Sequence, residues 1–461
     1  MVPYETLAVP NSADLVFGRA LRPVSCGFDL TIGAGQVYPE VNFTLPAIMV
    51  SAENWSEIVA QYTEMVTGIV RRAVALRTPG IVLEFELLPA MTEHPEWGAE
   101  ITALLHHALQ EAHDQHGLRC ALRVTPTDIR EQGKPPSLRS GKGCEQLLRS
   151  LEVCAQAGAD ILSIESIGGK EVHDQALLYG DVPGMVFALG VLAPRDMAWL
   201  WDQIAGICGR HPGLIAGGDS ACAFANTAMQ LAHQRMLPEV LAAVVRAMSA
   251  VRSLVAFEHG AVGPSKDCAY EGPILKAITG CPISMEGRSA TCAHFSPMGN
   301  VASAMCDLWS NESVQNVRLL SGNAPEAYAE LLIYDCRLMN IATERGGAHM
   351  LRDWLTASDR WLSPQAAVLS PVATIEIAAA IVGARGHYQR TRAAGRAAIS
   401  ILRGGLTAGA MQISAREHQW LDRIERELGA LPENEEDVMK QVAERYDGVY
   451  APSSYGLGEC V

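Results

Sequence analysis

Three residues whose side chains suit metal chemistry each stand just past an apolar, strand-like run: Glu165 in DILSIES, Cys222 after GLIAGGD, and Cys268 in the loop after SLVAFE. One carboxylate and two thiols converge only if those strands lie side by side. Converged, they suit a zinc ion with three protein ligands and one open position, the form in which catalytic zinc is held. A structural zinc would ask for four ligands, usually in closely spaced pairs. Most free cysteines are simply small buried residues. Cys222, however, sits in the polar turn GGDSAC, and Cys268 follows Lys266 and Asp267 in a Gly/Pro loop. Cys154, Cys208, Cys306 and Cys336 lie in helical patterns, where packing accounts for them. Cys292 and His294, in TCAH, form a second ligand pair, ranked behind the first as a wall of the same site. His259 is either a ligand or a satisfied polar residue. Glu84, Glu86, Glu258 and Glu286 also lie near strand ends, and structural ion pairing is an equally good account of each.

The elements that must position these residues follow a βα rhythm. GIVLEFE (80–86) leads to a helix around Ile101 to His116, and RCALRVT (119–125) to one around Glu145 to Ala157. DILSIES (160–166) exits through Gly168 and Gly169, which permit a sharp turn. MVFALGV (185–191) leads to Pro194, suited to a first helical turn, and to a helix ending near Cys208. GLIAGGD (213–219) runs into FANTAMQLAHQ and a further helix from Pro238 to Ala250. SLVAFEHG (253–260) precedes PILKAIT, CPISMEG (281–287) precedes a helix ending at Trp309, and QNVRLL (315–320) supplies the eighth strand. Eight such units between about 78 and 345 predict an α/β fold closed as a (β/α)8 barrel, with active residues at the carboxyl ends of the strands. Residues 1–77 read as an N-terminal extension wrapping that barrel, and 346–461 as a C-terminal helical lobe. A doubly wound open sheet would carry a G-x-G-x-x-G after its first strand, and GIVLEFELLP has none. RSGKGC (139–144) lacks the leading glycine and the hydroxyl after Lys142 of a phosphate-binding loop.

With 461 residues, 49% hydrophobic and 19% charged, the chain has ample apolar material for a large core. Its net charge of −15 repels phosphate backbones and acidic membrane surfaces, so neither nucleic acid nor a membrane is expected as a partner. Twelve cysteines without a C-x-x-C pair do not form a disulfide framework or a zinc ribbon. The amino terminus lacks a basic and apolar leader, and no uninterrupted apolar stretch approaches a membrane span. The expected setting is reducing cytoplasm, where thiolates are free to bind metal.

The words SIESIGGKEV, GGDSACAFANTAM, RSLVAFEHGAVGPSKDCAYE, KAITGCPISMEGRSATCAH and DLWSNESV, in one order, closely resemble the zinc-containing methyltransferase subunit of the methanol:corrinoid methyltransferase system. The resemblance runs from GAGQVYPE to LSPQA near 363. It implies a (β/α)8 barrel and one catalytic zinc held by Glu165 in SIESIGGKE, Cys222 in GGDSACA and Cys268 in SKDCAYE, the residues already picked out by position. It also marks departures: Ala221 stands where the family carries an acidic residue, and Phe295, Ser296 and Pro297 follow His294. These could reshape the pocket for the methyl donor.

The reaction implied is transfer of the methyl group of methanol to the Co(I) corrinoid of a separate protein, since the chain has no D-x-H-x-x-G cobalamin motif. Zinc would act as a Lewis acid on the leaving oxygen. Two thiolates and a carboxylate make it a softer acid than imidazole ligands would, so a strong nucleophile is required. A protonated carboxylic acid would help the oxygen depart, and Glu84 and Glu258 are the candidates. Asp219 is expected to orient the Cys222 loop. Another small O-methyl donor is an alternative substrate. A zinc hydrolase on the same barrel is disfavoured by the thiolate ligands. The family resemblance further implies a homodimer.

Overall fold

Runs buried on both faces and separated by amphipathic helices have one economical closure, a parallel sheet curled on itself. The computed structural model describes residues 3–45, 48–266, 268, 270–287, 298–314, 318–320 and 322–458. It begins with an antiparallel hairpin, β1 (Arg19–Cys26) and β2 (Leu30–Ala34). Seven strands then form one parallel sheet: β3 (Tyr38–Thr44), β4 (Ile81–Glu86), β5 (Cys120–Thr125), β6 (Ile161–Ile164), β7 (Ile215–Asp219), β8 (Ser284–Glu286) and β9 (Leu308–Val314). Its order is β7-β6-β5-β4-β3-β9-β8. The edge strands β7 and β8 are joined by residues 262–265. Val262 and Gly263 donate N–H groups to the Ala216 and Gly217 carbonyls at 2.8 Å, and Ser265 pairs with Ile283. That short segment is the sixth strand position of the (β/α)8 barrel.

Several expected elements are corrected. β3 lies inside the supposed N-terminal extension, yet it is a central strand, with Val41 opposite Leu83 on β4 and Asn311 on β9. Its Gly/Pro-rich approach made it read as loop. Residues 185–191 are helical, running from Val182–Phe187 through a wide turn at Ala188–Leu192 into Ala193–Arg210. Residues 253–258 belong to the helix Glu239–Glu258. Both runs are buried on all sides, and a short run buried all round has no period that tells helix from strand. Trp309 belongs to β9, which is the closing strand; of 315–320, residues 315–317 lie outside the described residues, and Arg318–Leu319 only pairs with Gly322–Asn323.

The hairpin plugs the amino-terminal end of the barrel. Phe28 exchanges backbone hydrogen bonds with Cys120, and Leu30 and Ile32 pack with Val82, Ala121, Ile161 and Leu308. Above this plug the interior turns polar, because alternate residues of each strand point inward. Arg123 bonds Glu40 at 2.7 Å and Ser163 at 2.8 Å, all fully buried. The helix Glu239–Glu258 is long and apolar enough to cross a membrane, with mean hydropathy 1.8, a stretch the sequence reading passed over. From Val240 to Glu258 it is buried instead, because the carboxyl-terminal helices clasp it. Glu417 accepts the N–H groups of Glu239 and Val240 at its start, and Arg390 pairs with Glu258 at its end.

Candidate metal centre

Glu165 follows β6, and the chain leaves it through a turn held on three sides. Asp219 Oδ1 accepts the Ser166 N–H at 3.2 Å and Asp128 Oδ2 accepts that of Ile167 at 3.2 Å. Gly168 packs so tightly on the Asp196 carboxylate that a Cβ there would lie 2.2 Å from Oδ2. Gly169 follows with φ +87° and donates its N–H to the Tyr455 hydroxyl at 2.8 Å. Cys222 follows β7. Asp219 Oδ1 also accepts the Ser220 N–H at 2.8 Å, while Glu271 Oε1 accepts that of Ala221 at 2.9 Å. Cys222 then opens a widened, π-helical turn, Cys222–Asn226. Cys268 follows the sixth strand position. One buried carboxylate, Asp219, is therefore bonded beside both the Glu165 and the Cys222 loops.

The structure brings Glu165, Cys222 and Cys268 together. Their ligand atoms all lie within 4.8 Å of one another, and Cys268 Sγ is 2.7 Å from Glu165 Oε1. Tetrahedral zinc with S and O ligands spaces its donors about 3.5–3.8 Å apart, so small side-chain movements suffice to fit the ion. The hydrogen bond from Cys268 lowers the Cys222 thiol, but burial and the Glu165 carboxylate outweigh it and leave the thiol at about 11. Cys268 is raised well above the ordinary thiol range, by its hydrogen bond with Cys222 and then by burial. A half-buried and a buried thiol against a carboxylate are a donor set that becomes favourable once a cation replaces the thiol protons. Glu165 and Cys222 face a cavity of about 650 Å³, walled in part by Thr44, Leu87, Leu88 and Gln230.

Sequence reasoning missed Lys266. Its buried ammonium lies 2.9 Å from Glu84, 3.6 Å from Glu165 and 3.9 Å from the Cys268 sulfur, and it is bonded to Glu86 as well. Mistaking the preceding helix for a strand hid it. Glu84, expected as a proton donor, also accepts from Thr125 at 2.9 Å. Glu258, the other expected proton donor, lies elsewhere and pairs with His387 and Arg390. It ends a helix that runs toward the amino-terminal side of the barrel, opposite Cys268. Burial raises its pKa, but bonds from His387 and Arg390 outweigh this and lower it. His259 is likewise at that helix end, 2.7 Å from Asp202. Glu286 is buried on β8, and Cys306 is buried in a loop rather than a helix. Cys292, His294 and Phe295 lie outside the described residues.

The chain matches the family profile described as the methanol-cobalamin methyltransferase B subunit over residues 2–456. It is 39% identical over 462 residues to the methanol–corrinoid protein co-methyltransferase of Methanosarcina barkeri, covering 98% of this chain and 99% of that one. The crystal structure of the methanol:cobalamin methyltransferase complex from Methanosarcina barkeri contains a chain that superposes with a TM-score of 0.95 at 38% identity. That match covers 99% of this chain and all of the other.

Proposed function

The chain belongs to the methanol-cobalamin methyltransferase B subunit family, and on that premise we propose that it transfers the methyl group of methanol to the Co(I) corrinoid of a separate protein, using zinc held by Glu165, Cys222 and Cys268. The observation that carries this reading is the meeting of those three donors within 4.8 Å at the carboxyl ends of barrel strands. Bound there, zinc supplies the Lewis acid that takes up negative charge on the alcohol oxygen as the C–O bond breaks.

The chain's own residues prepare that step. Asp219 holds the Ser166 and Ser220 backbones and so fixes the loops of two ligands. Ser220 Oγ accepts the Cys222 N–H at 3.1 Å and lies 3.8 Å from the Cys268 sulfur, bridging the two thiol loops. Lys266 places positive charge among Glu84, Glu86 and Glu165, which limits the repulsion a set of anionic ligands would meet. The cavity is far larger than methanol requires, which supports entry of a corrinoid carried by the partner. A homodimer is the assembly we propose. The helix Ala324–Glu344 supports it by exposing Leu331, Tyr334, Leu338 and Ile341 at between 44% and 60%, in the heptad spacing of a self-complementary stripe.

The test is methylcobalamin formation from free cob(I)alamin and methanol by the zinc-loaded protein, alongside its zinc content. Cys222→Ala and Cys268→Ala should each lose zinc and activity together. Zinc retained in both variants would refute the ligand set. Methylation only by a methyl ether would move the donor from methanol.

A further inference from the structure

Asn226 stands four residues beyond Cys222, at the far end of the widened turn. Its side chain folds back, and Nδ2 donates to the Cys222 sulfur at 3.3 Å. The residue is 6% exposed, and its Oδ1 is buried with no hydrogen-bond partner among the described residues. A buried amide oxygen without a donor costs free energy. The pose therefore has its reason in the other half of the amide, the N–H on sulfur. A bond of this kind strengthens when the acceptor carries charge, so it favours the sulfur as thiolate. Ser220 Oγ and Lys266 Nζ lie 3.8 and 3.9 Å from the Cys268 sulfur.

We propose that Asn226 is a positioning residue that, through its N–H···S bond, withdraws charge from Cys222 and sets how strongly the zinc acts as a Lewis acid. A sulfur lone pair engaged by an N–H donates less to a metal, and partners of the ligands are known to tune the ion in this way. The effect matters here because all three ligands are anionic and each reduces the positive charge left for the substrate oxygen. Asn226 counters that loss at its nearest sulfur without adding a charge to the barrel. The inference rests on the zinc reading above.

The test replaces zinc by Co²⁺ in the full chain and in N226L, and records the near-ultraviolet sulfur-to-cobalt charge-transfer band. In N226L the lone pair is no longer stabilised, so the band should move to lower energy with one Co²⁺ still bound. Methanol-dependent kcat should fall by about tenfold, with KM little changed. N226D keeps the size but turns an acceptor toward sulfur, and its Co²⁺ affinity should drop by about 10–100-fold. An unmoved band in metal-loaded N226L overturns the inference and leaves the zinc reading standing. A native protein without any such band overturns both.

Discussion

At the residue scale, the ammonium of Lys266 is the charge on which the barrel mouth depends. It is fully buried, 2.9 Å from Glu84, bonded to Glu86 and 3.6 Å from Glu165. Breaking a buried pair by removing one partner strands the other charge, at a cost of about 3–5 kcal/mol. Lys266→Met should therefore destabilise the protein by that order, read by denaturant unfolding. Adding Glu84→Gln should recover part of the loss, because the two sites share one network. A single variant as stable as the native protein would refute the account. Glu84 lies on β4 and Lys266 just past the sixth strand position, 182 residues later, so the pair could not be read from local sequence.

At the scale of elements, β6 is held in the sheet by a carboxylate at its start. Asp160 Oδ2 accepts the Leu122 N–H of β5 at 2.8 Å. Burial raises its pKa from 3.8 to about 6, against that bond and the nearby His106. The folded protein thus prefers the protonated acid. Its contribution to stability is present below the unfolded value and is lost as pH rises from about 4 to about 6. Asp160→Asn keeps an acceptor for Leu122 without the charge. Its advantage in melting temperature over the native protein should grow across that window and level off above it, worth roughly 1–3 kcal/mol at neutral pH. A difference that stays flat with pH would refute the assignment.

At the scale of the whole molecule, the exposed stripe on Ala324–Glu344 makes the assembly testable. Light scattering should find a dimer, and Leu338→Arg, in the middle of the stripe at 60% exposure, should give a monomer with unchanged melting behaviour at low concentration. A dimer that survives this substitution would move the contact elsewhere. The carboxyl-terminal helices are no separate lobe in energetic terms. They cap and pair both ends of the helix Glu239–Glu258, whose composition taken alone would suit a membrane.

What the sequence determined by itself was local and periodic. β4, β5, β6 and β7 announced themselves as short apolar runs alternating with amphipathic helical segments. Gly168 and Gly169 marked the strand exit because only glycine fits against Asp196 and at φ +87°. The Glu165, Cys222 and Cys268 set followed from residue type at loop positions, reinforced by the words around them. The tertiary structure decided everything that depends on burial from several sides. It placed β3 inside the barrel, made helix of 185–191 and 253–258, and left the sixth strand as a short bridge at 262–265. It also assembled Lys266, Asn226 and Glu271 around the donors. The physical reason is common to these cases. Hydrophobicity along a chain reports how much a segment is buried, whereas its conformation and its charge partners are set by neighbours that arrive from distant sequence.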